Sequence, residues 1–354
     1  MVDEIIEEAL LRFLFYFNFM NTVNSVLTFA KLNPILKEFG EYPEKYRRKI
    51  WEKILQLPNN IEQYNNIINH ITVMAFEDLY FKYPLENIGT IKCLRKLLNN
   101  VVNWCPFIVH IDYLPMFAFP FVKVFENTPV ACFEAICTIL LNWCQHWFDY
   151  FPLPPMNILI IIENMLVEHD PELFYHFQYF NITTELYGWT LLETAFTEVL
   201  TASEWLILWD HILTNKEDPS FFLCATVSYN FVHKNILKSL KTLEEFEFFY
   251  HNQNPNDMKT FLNKTYYIMK NTSAKVYPGQ YYRPFKYIEN GKYPLFENYP
   301  KTMCNLYIAK DLFSTLIDFD KYGTLFFEKA RRKWKRANLF RKRREEIRRQ
   351  IVFM

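Results

Sequence analysis

The chain has 354 residues, of which 51% are hydrophobic and 19% aromatic, enough for one large core or two smaller ones and too many for a disordered chain. The formal net charge is zero, but residues 329–349 hold twelve Lys or Arg and two Glu, which puts +10 on this segment and −10 on the remainder. Neighbouring glycines are at least twelve residues apart, which excludes the Gly-rich dinucleotide and phosphate-binding motifs and the nucleophile elbow.

The first predicted element is a helical extension over residues 1–31. It begins with an acidic sequence, Met1-Val-Asp-Glu, where a secretory signal would be basic. The apolar run at 13–20 is too short for a transmembrane helix, which takes about 20 residues. We therefore expect a soluble, intracellular protein without a transmembrane segment.

A helix is predicted to begin at Pro43 and to end at Leu57, just before Pro58. Four apolar side chains recur at helical spacing and share one face. They are Tyr46, Ile50, Trp51 and Ile54. This face is expected to pack into a core.

Proline residues divide the next part of the chain. Three of them predict short helices or loops between residues 99 and 120 rather than one long helix. They are Pro106, Pro115 and Pro120. A longer helix is predicted over 128–148, and the Pro-Leu-Pro-Pro sequence at 152–155 ends that region.

The cysteines and histidines do not indicate a metal site. Seven cysteines without a CxxC motif are typical of a reducing compartment, and the eight histidines form no HExxH motif. Cys132, Cys137 and Cys144 lie in the predicted apolar helix and are expected to be buried thiols. We therefore expect no metal and no cofactor.

Two further helices are predicted, over residues 189–200 and 203–213, with Ser203 as the N-cap of the second. Beyond residue 250 the sequence is rich in Asn, Pro and Tyr and is less periodic. This composition predicts a looser, partly helical extension over 251–328. The chain closes in a basic helix, predicted over 329–354, which could begin a coiled coil.

Several stretches, taken in order, resemble the TBC domain of Rab GTPase-activating proteins. Arg47 and Trp51 take the two fixed positions of an RxxxW signature, and residues 118–125 resemble the segment that follows a glutamine finger. The sequence from Trp189 onward resembles the late helices of the domain, which end in a Leu-Trp-Asp motif. That motif is Leu208-Trp209-Asp210.

This resemblance covers about residues 32–250, which we take as the TBC domain. It implies an all-α fold with two helical lobes. Residues 36–43, 142–152 and 291–300 also resemble one group within the family, in which WD repeats precede the TBC domain and a coiled coil follows it. That closer resemblance implies a cytoplasmic adapter at centrosomes, centriolar satellites and the cilium base, with a role in cilium formation. It implies protein partners, namely a Rab GTPase and centrosomal or ciliary proteins.

The resemblance also implies where the catalytic arginine would lie. TBC domains supply it from an IxxDxxR segment. Asp78 and Pro84 hold the frame of that segment, which puts Phe81 at the arginine position and Lys82 beside it. Phenylalanine has no donor, while the neighbouring lysine points about 100° away on a helix and lacks the planar guanidinium. No arginine occurs in residues 96–282.

The glutamine finger of the family comes from a YxQ segment. Alignment on residues 119–121 puts Asp112 at the glutamine position. A carboxylate there would face an anionic nucleotide. No glutamine occurs in residues 64–144, so no shift of register supplies one.

We therefore expect a catalytically inactive Rab-GAP-like domain that acts as an adapter and is not an enzyme. The alternative is an active GTPase-activating protein that uses a non-standard residue such as Lys82. A third hypothesis is an effector that binds a Rab without promoting hydrolysis.

The basic tail has several interpretations. It could be a solvated helix that begins a coiled coil, or it could bind an acidic protein, a membrane surface or nucleic acid. We expect no nucleic-acid partner, because the aromatic residues at helical spacing belong to a core rather than to a base-stacking surface. The predicted partner-binding residues of the tail are Arg331, Arg332, Lys333, Lys335, Arg336, Arg341, Lys342, Arg343 and Arg344.

Overall fold

The computed structural model of the chain describes residues 29–69, 76, 79, 88–151 and 153–299. Within them the chain forms helices joined by irregular segments, with no β-strand beyond an isolated bridge between Glu289 and Lys292. The predicted all-α class is confirmed. None of the described helices is long and apolar enough to cross a membrane. The predicted basic helix and most of the N-terminal extension lie outside the described residues.

Six α-helices of the described part of the chain precede residue 143, and the last five of them form a first group. The six are α1 (Phe29–Phe39), α2 (Glu44–Leu55), α3 (Ile61–Asn69), α4 (Ile88–Trp104), α5 (Leu114–Val124) and α6 (Pro129–Asn142). Helix α4 is at the centre and packs against α3, α5 and α6. A 3-10 helix at Pro106–His110 leads from α4 towards α5, so this part of the chain is divided as predicted at Pro106 and Pro115, whereas Pro120 lies inside α5 without interrupting it.

The remaining α-helices form a second group. They are α7 (Met156–His169), α8 (Pro171–Tyr179), α9 (Thr190–Glu193), α10 (Ala202–Thr214), α11 (Phe221–Val232), α12 (Lys234–Leu237), α13 (Leu243–Tyr250) and α14 (Met258–Asn271). Helix α11 packs against α7 and α14, while α10 packs against both α14 and α2. Helix α10 therefore joins the two groups.

Helix α2 follows the predicted pattern and ends two residues early. The four predicted apolar side chains are buried on one face. The helix ends at Leu55 because Gln56 adopts the left-handed conformation, with φ 52°. The Gln56 N–H donates to the carbonyl of Lys53, and the Leu57 N–H donates to the carbonyl of Glu52, which closes the helix.

The predicted helix over residues 189–200 is wrong beyond Glu193, where α9 ends. Ala195 and Phe196 are left-handed, with φ 52° and 66°, and their N–H groups bond to carbonyls of the preceding turn. Glycine is the usual residue at the first of these positions, because it has no Cβ to clash there. With alanine instead, only the tertiary structure marks the break.

The predicted N-cap at Ser203 is also wrong, because Thr201 caps α10. The Thr201 hydroxyl accepts the N–H of Glu204 at 3.4 Å, and the Glu204 carboxylate accepts the N–H of Thr201 at 2.8 Å. This reciprocal capping box satisfies two helix-end donors, which a cap at Ser203 would not.

The helix predicted over residues 128–148 ends earlier, at Asn142, and is followed by turns. Its three cysteines are buried free thiols, as predicted, and burial raises the pKa of each thiol. Residues 251–299, the described part of the predicted extension, are partly helical and partly irregular. Helix α14 packs on α11, and residues 283–299 are fixed to the first group by side-chain hydrogen bonds.

Candidate functional site

The two ends of the family signature meet in one buried cluster. Arg47 and Trp51 lie one turn apart on α2, and Asp210 lies on α10. The Arg47 Nε–H lies 3.0 and 3.1 Å from the two Asp210 carboxylate oxygens, and the Trp51 indole N–H donates to the same carboxylate at 2.7 Å. The cluster joins the two helix groups through polar atoms.

Backbone and neighbouring side chains complete this cluster. The Tyr42 N–H donates to Asp210 at 2.8 Å, and the second end of the Arg47 guanidinium pairs with Glu41 at 3.1 Å. Every contact to the Asp210 carboxylate is therefore a donor. Burial raises the pKa of Asp210 to about 7, against the opposing effect of the Arg47 guanidinium and of the N–H donors.

His211, the next residue on α10, is buried beside this cluster. Its Nε2 lies 2.9 Å from the carbonyl oxygen of Gly40, which can only accept, so the proton lies on Nε2. Its Nδ1 is then free to accept the hydroxyl of Tyr266 at 2.9 Å. Burial lowers the pKa of His211 to about 4, so the ring is neutral at pH 7.

Trp209 belongs to the apolar side of the same helix. It is fully buried and packs edge-on against Phe121 at 4.7 Å between ring centroids. The indole N–H groups of Trp205 and Trp209 both point to the carbonyl of Ala195, at 2.8 and 3.4 Å. These two donors hold the strained turn that ends α9, which explains how left-handed Ala195 is tolerated.

Trp189 connects this core to the element that carries the glutamine-finger position. Its ring packs perpendicular to Tyr113 at 5.3 Å, and against Trp147 at 5.1 Å. Tyr113 immediately follows Asp112, which lies exposed in the turn before α5. The signature tryptophan thus supports the base of this turn.

The chemistry available at this turn differs from that of a glutamine. The Asp112 side chain carries no N–H donor, so it can only accept from a water when ionised. Phe81, Lys82, Asp78 and Pro84 lie outside the described residues, as does the basic tail. Among the residues that the structure describes, no group of His, Cys, Asp and Glu could hold a metal ion.

Sequence reasoning missed a set of buried amide side chains. Asn60, Asn142 and Gln145 bond to backbone groups of residues 283–291, far along the chain. Amides bound in this way have no periodic pattern. Only their position within otherwise apolar helix faces could have indicated that they have partners.

Comparisons with known proteins agree with this architecture. TBC1 domain family member 31 from Homo sapiens is 43% identical over 281 residues, which are 79% of this chain and 26% of that protein. The Xenopus tropicalis protein of the same name is 40% identical over the same shares. The chain therefore spans about a quarter of the length of these relatives. This similarity confirms the closer resemblance found at residues 36–43, 142–152 and 291–300.

Solved structures show the same fold. The crystal structure of the Ypt/Rab-GAP domain of Gyp1p superimposes with a TM-score of 0.53 at 13% identity, over 69% of this chain and 93% of that one. The Chlamydomonas flagellar RabGAP TBC domain gives a TM-score of 0.56 at 10% identity, over 70% and 89%. The family model of the Rab-GTPase-TBC domain matches residues 44–237. The chain is a member of the Rab-GTPase-TBC domain family.

Proposed function

We propose that the chain is a Rab-GAP-like domain that has kept the scaffold of its family and lost the finger chemistry, so that it acts by binding. The observation that carries this proposal is Asp112. It occupies the glutamine-finger position of the alignment and lies exposed in the turn before α5, where a partner can reach it. Sequence adds Phe81 at the arginine position.

The loss of both finger residues removes the two groups that accelerate hydrolysis, namely the cation that neutralises the γ-phosphate and the amide that aligns the attacking water. An arginine finger neutralises charge that develops on the γ-phosphate and is worth about 10³–10⁵ in rate. Phe81 offers no charge and no donor. Asp112 adds a negative charge next to the phosphates, and its carboxylate lacks the amide donors that help to align the attacking water.

The intact scaffold supports a binding role. The cluster of Arg47, Trp51 and Asp210 joins the two helix groups, and Trp189 supports the turn that carries Asp112. A domain that keeps these contacts keeps a defined surface around Asp112. We propose a Rab GTPase as one partner at this surface.

The second part of the proposal concerns the adapter activity and the cellular location of the protein. The family relatives are about four times longer than the aligned region, so the activity of a whole protein of this kind rests on more than this chain. We propose an adapter role at centrosomes, centriolar satellites and the cilium base, with centrosomal or ciliary proteins as further partners. Imaging of the tagged chain against a centrosome marker tests the location. A uniform cytoplasmic distribution would contradict it.

Binding is tested directly with immobilised chain and a panel of Rab GTPases, each loaded with GDP or with a non-hydrolysable GTP analogue. We expect at least one Rab to bind in its GTP form. The matched variant Asp112→Lys reverses the charge of the exposed turn without touching the core and should change the affinity of that Rab. Absence of binding across the panel would reject the Rab as partner and leave the adapter role to other proteins.

The rival function is an active GTPase-activating protein that uses Lys82. The ammonium group of Lys82 is the one cationic side chain beside the arginine position of the alignment. This alternative predicts hydrolysis that is lost in Lys82→Ala. Our proposal predicts that Lys82→Ala leaves the hydrolysis rate unchanged.

A further inference from the structure

Residues 283–299 run without a helix, with a turn at Glu289–Lys292, and side chains of the domain body hold their backbone. Three buried amide side chains each pair with backbone N–H and C=O groups of this segment. Gln145 pairs with both groups of Arg283 at 2.9 and 3.3 Å, and Asn142 pairs with both groups of Lys286 at 2.7 and 3.0 Å. Asn60 donates to the Glu289 carbonyl at 2.8 Å and accepts the N–H of Gly291 at 2.7 Å.

The three amide side chains bind backbone atoms of the segment rather than its side chains. The Trp104 indole N–H adds a further bond, to the carbonyl of Pro294 at 2.7 Å. The face that supplies the contacts is built in advance by the body of the domain. Buried Glu134, for example, fixes the loop before α3 by accepting the N–H groups of Asn59 and Asn60 at 2.9 and 2.7 Å.

Aromatic side chains of the segment provide the apolar anchors. Phe285 packs against Trp143, and Phe296 lies 5.6 Å from Trp104. Tyr299 stacks on Phe107, with ring centroids 4.4 Å apart and planes within 3°. A row of backbone contacts combined with aromatic anchors is the usual way in which extended peptides are recognised.

The segment also leaves space in the groove. A cavity of about 280 Å³ remains between the end of α6 and two parts of the segment, at residues 283–286 and 295–298. Helix α14 and the turns after it connect the segment to the body, so the segment reaches the groove from one side. All of its anchoring contacts join it to the body, and an identical segment from another molecule could make every one of them.

We propose that this groove, formed by Asn60, Trp104, Glu134, Asn142 and Gln145, is a docking site for a non-helical polypeptide segment. Residues 283–299 are its ligand in cis, and the same segment of a second copy of this chain replaces them in trans. The groove lies within residues 44–237, which the family model matches, whereas the ligand lies outside them, because it begins 46 residues after residue 237.

Two full-length variants with complementary defects test the exchange. Phe296→Ala/Tyr299→Ala weakens the ligand and keeps the groove, whereas Asn142→Ala/Gln145→Ala weakens the groove and keeps the ligand. We expect the two variants, differently tagged, to co-purify when mixed, because one intact groove then meets one intact ligand. Each variant alone should not self-associate. If the mixed pair fails to associate while both variants keep the helical circular dichroism of the wild type, the proposal is wrong.

A labelled synthetic peptide of residues 281–299 gives a second readout that needs only the ligand-weakened variant. It should bind that variant, and the affinity should fall at least about tenfold when Asn142→Ala/Gln145→Ala is added, since several hydrogen bonds are lost. Leu295→Ala is the matched control, because this side chain is 75% exposed. The control should bind no more peptide than the wild type. Equal binding to all variants, or none to the ligand-weakened one, would overturn the proposal.

Discussion

At the scale of single residues, the signature tryptophans Trp51 and Trp209 are fully buried between helices. Trp51→Ala or Trp209→Ala should lower the free energy of unfolding by about 3–5 kcal/mol, through lost burial and the cavity that remains. Trp51→Phe should cost less, about 1–3 kcal/mol, because it removes chiefly the hydrogen bond to Asp210. Chemical denaturation of the full chain measures each value.

Tyr179→Ala is the matched control for these substitutions, since it removes an aromatic side chain that is 80% exposed. It should change the free energy of unfolding by no more than about 0.5 kcal/mol. A loss below about 1 kcal/mol at either tryptophan would contradict its place in the core.

His211 makes stability depend on pH. Its folded pKa of about 4 is below its ordinary value of 6.5, so the folded state binds fewer protons. The stability it contributes is complete above pH 6.5 and is lost as the pH falls towards 4, with a loss of about 2 kcal/mol by pH 5. Asp210, with its pKa raised from 3.8 to about 7, acts in the opposite direction and loses its contribution as the pH rises through 7.

Comparison with a variant separates the two groups. His211→Gln keeps a donor and an acceptor at this position and removes the titration. The difference in unfolding free energy between the wild type and His211→Gln should shrink by about 2 kcal/mol from pH 7.5 to pH 5. Guanidinium titrations at the two pH values measure it. A difference that stays constant would mean that His211 keeps its ordinary pKa in the folded protein.

At the scale of elements, helix ends depend on left-handed residues that are not glycine. Gln56 is exposed and has φ 52°. Gln56→Gly should therefore stabilise the chain by about 0.5–1 kcal/mol, because the steric cost of the left-handed conformation exceeds the extra freedom of glycine in the unfolded chain. Lys53→Gly, three residues earlier and also exposed, should instead cost about 1 kcal/mol. Destabilisation by both substitutions would contradict the conformation at Gln56.

The elements that follow a periodic pattern were predictable from the sequence, and those that depend on distant contacts were not. The face of α2 was predictable because apolar residues recur every three or four positions. The break after Glu193 was not, since Ala195 and Phe196 adopt a conformation that the indole donors of α10 hold in place. The fixed course of residues 283–299 was also missed, because it depends on amide contacts to positions more than 100 residues away.

The candidate site was predicted only in part. The resemblance selected Arg47, Trp51 and Asp210 one by one, while their meeting in a single buried cluster emerged from the structure. Local patterns cannot show such a contact, because its partners are about 160 positions apart. The loss of finger residues, by contrast, is a matter of residue type and stays a prediction from the sequence at Phe81.

At the scale of the whole molecule, charge is divided between an acidic body and a basic tail. Twelve basic residues within 329–349 repel one another and need counter-charge, and contacts to the body would be screened beyond a Debye length of about 10 Å at 0.1 M salt. Trp334, Leu339 and Phe340 add apolar anchors, which favour an external partner. Deletion of residues 329–354 should leave the melting temperature nearly unchanged and abolish a pull-down interaction or centrosomal targeting.

Alanine at Trp334, Leu339 and Phe340 together is the control for the tail, since it keeps the charge and removes the anchors. It should weaken the same interaction without affecting the melting temperature. If the deletion unfolds the body, or leaves every interaction intact, the tail does not have this binding role.

We propose that the chain keeps the family fold without its catalysis. The most direct test is multiple-turnover GTP hydrolysis by a panel of Rab GTPases with the purified full chain. We expect stimulation of no more than roughly tenfold for any Rab, far below the effect of an arginine finger. Phe81→Arg/Asp112→Gln restores both finger types and serves as the positive comparison. Stimulation by the wild type well above tenfold, lost in Lys82→Ala, would contradict the account.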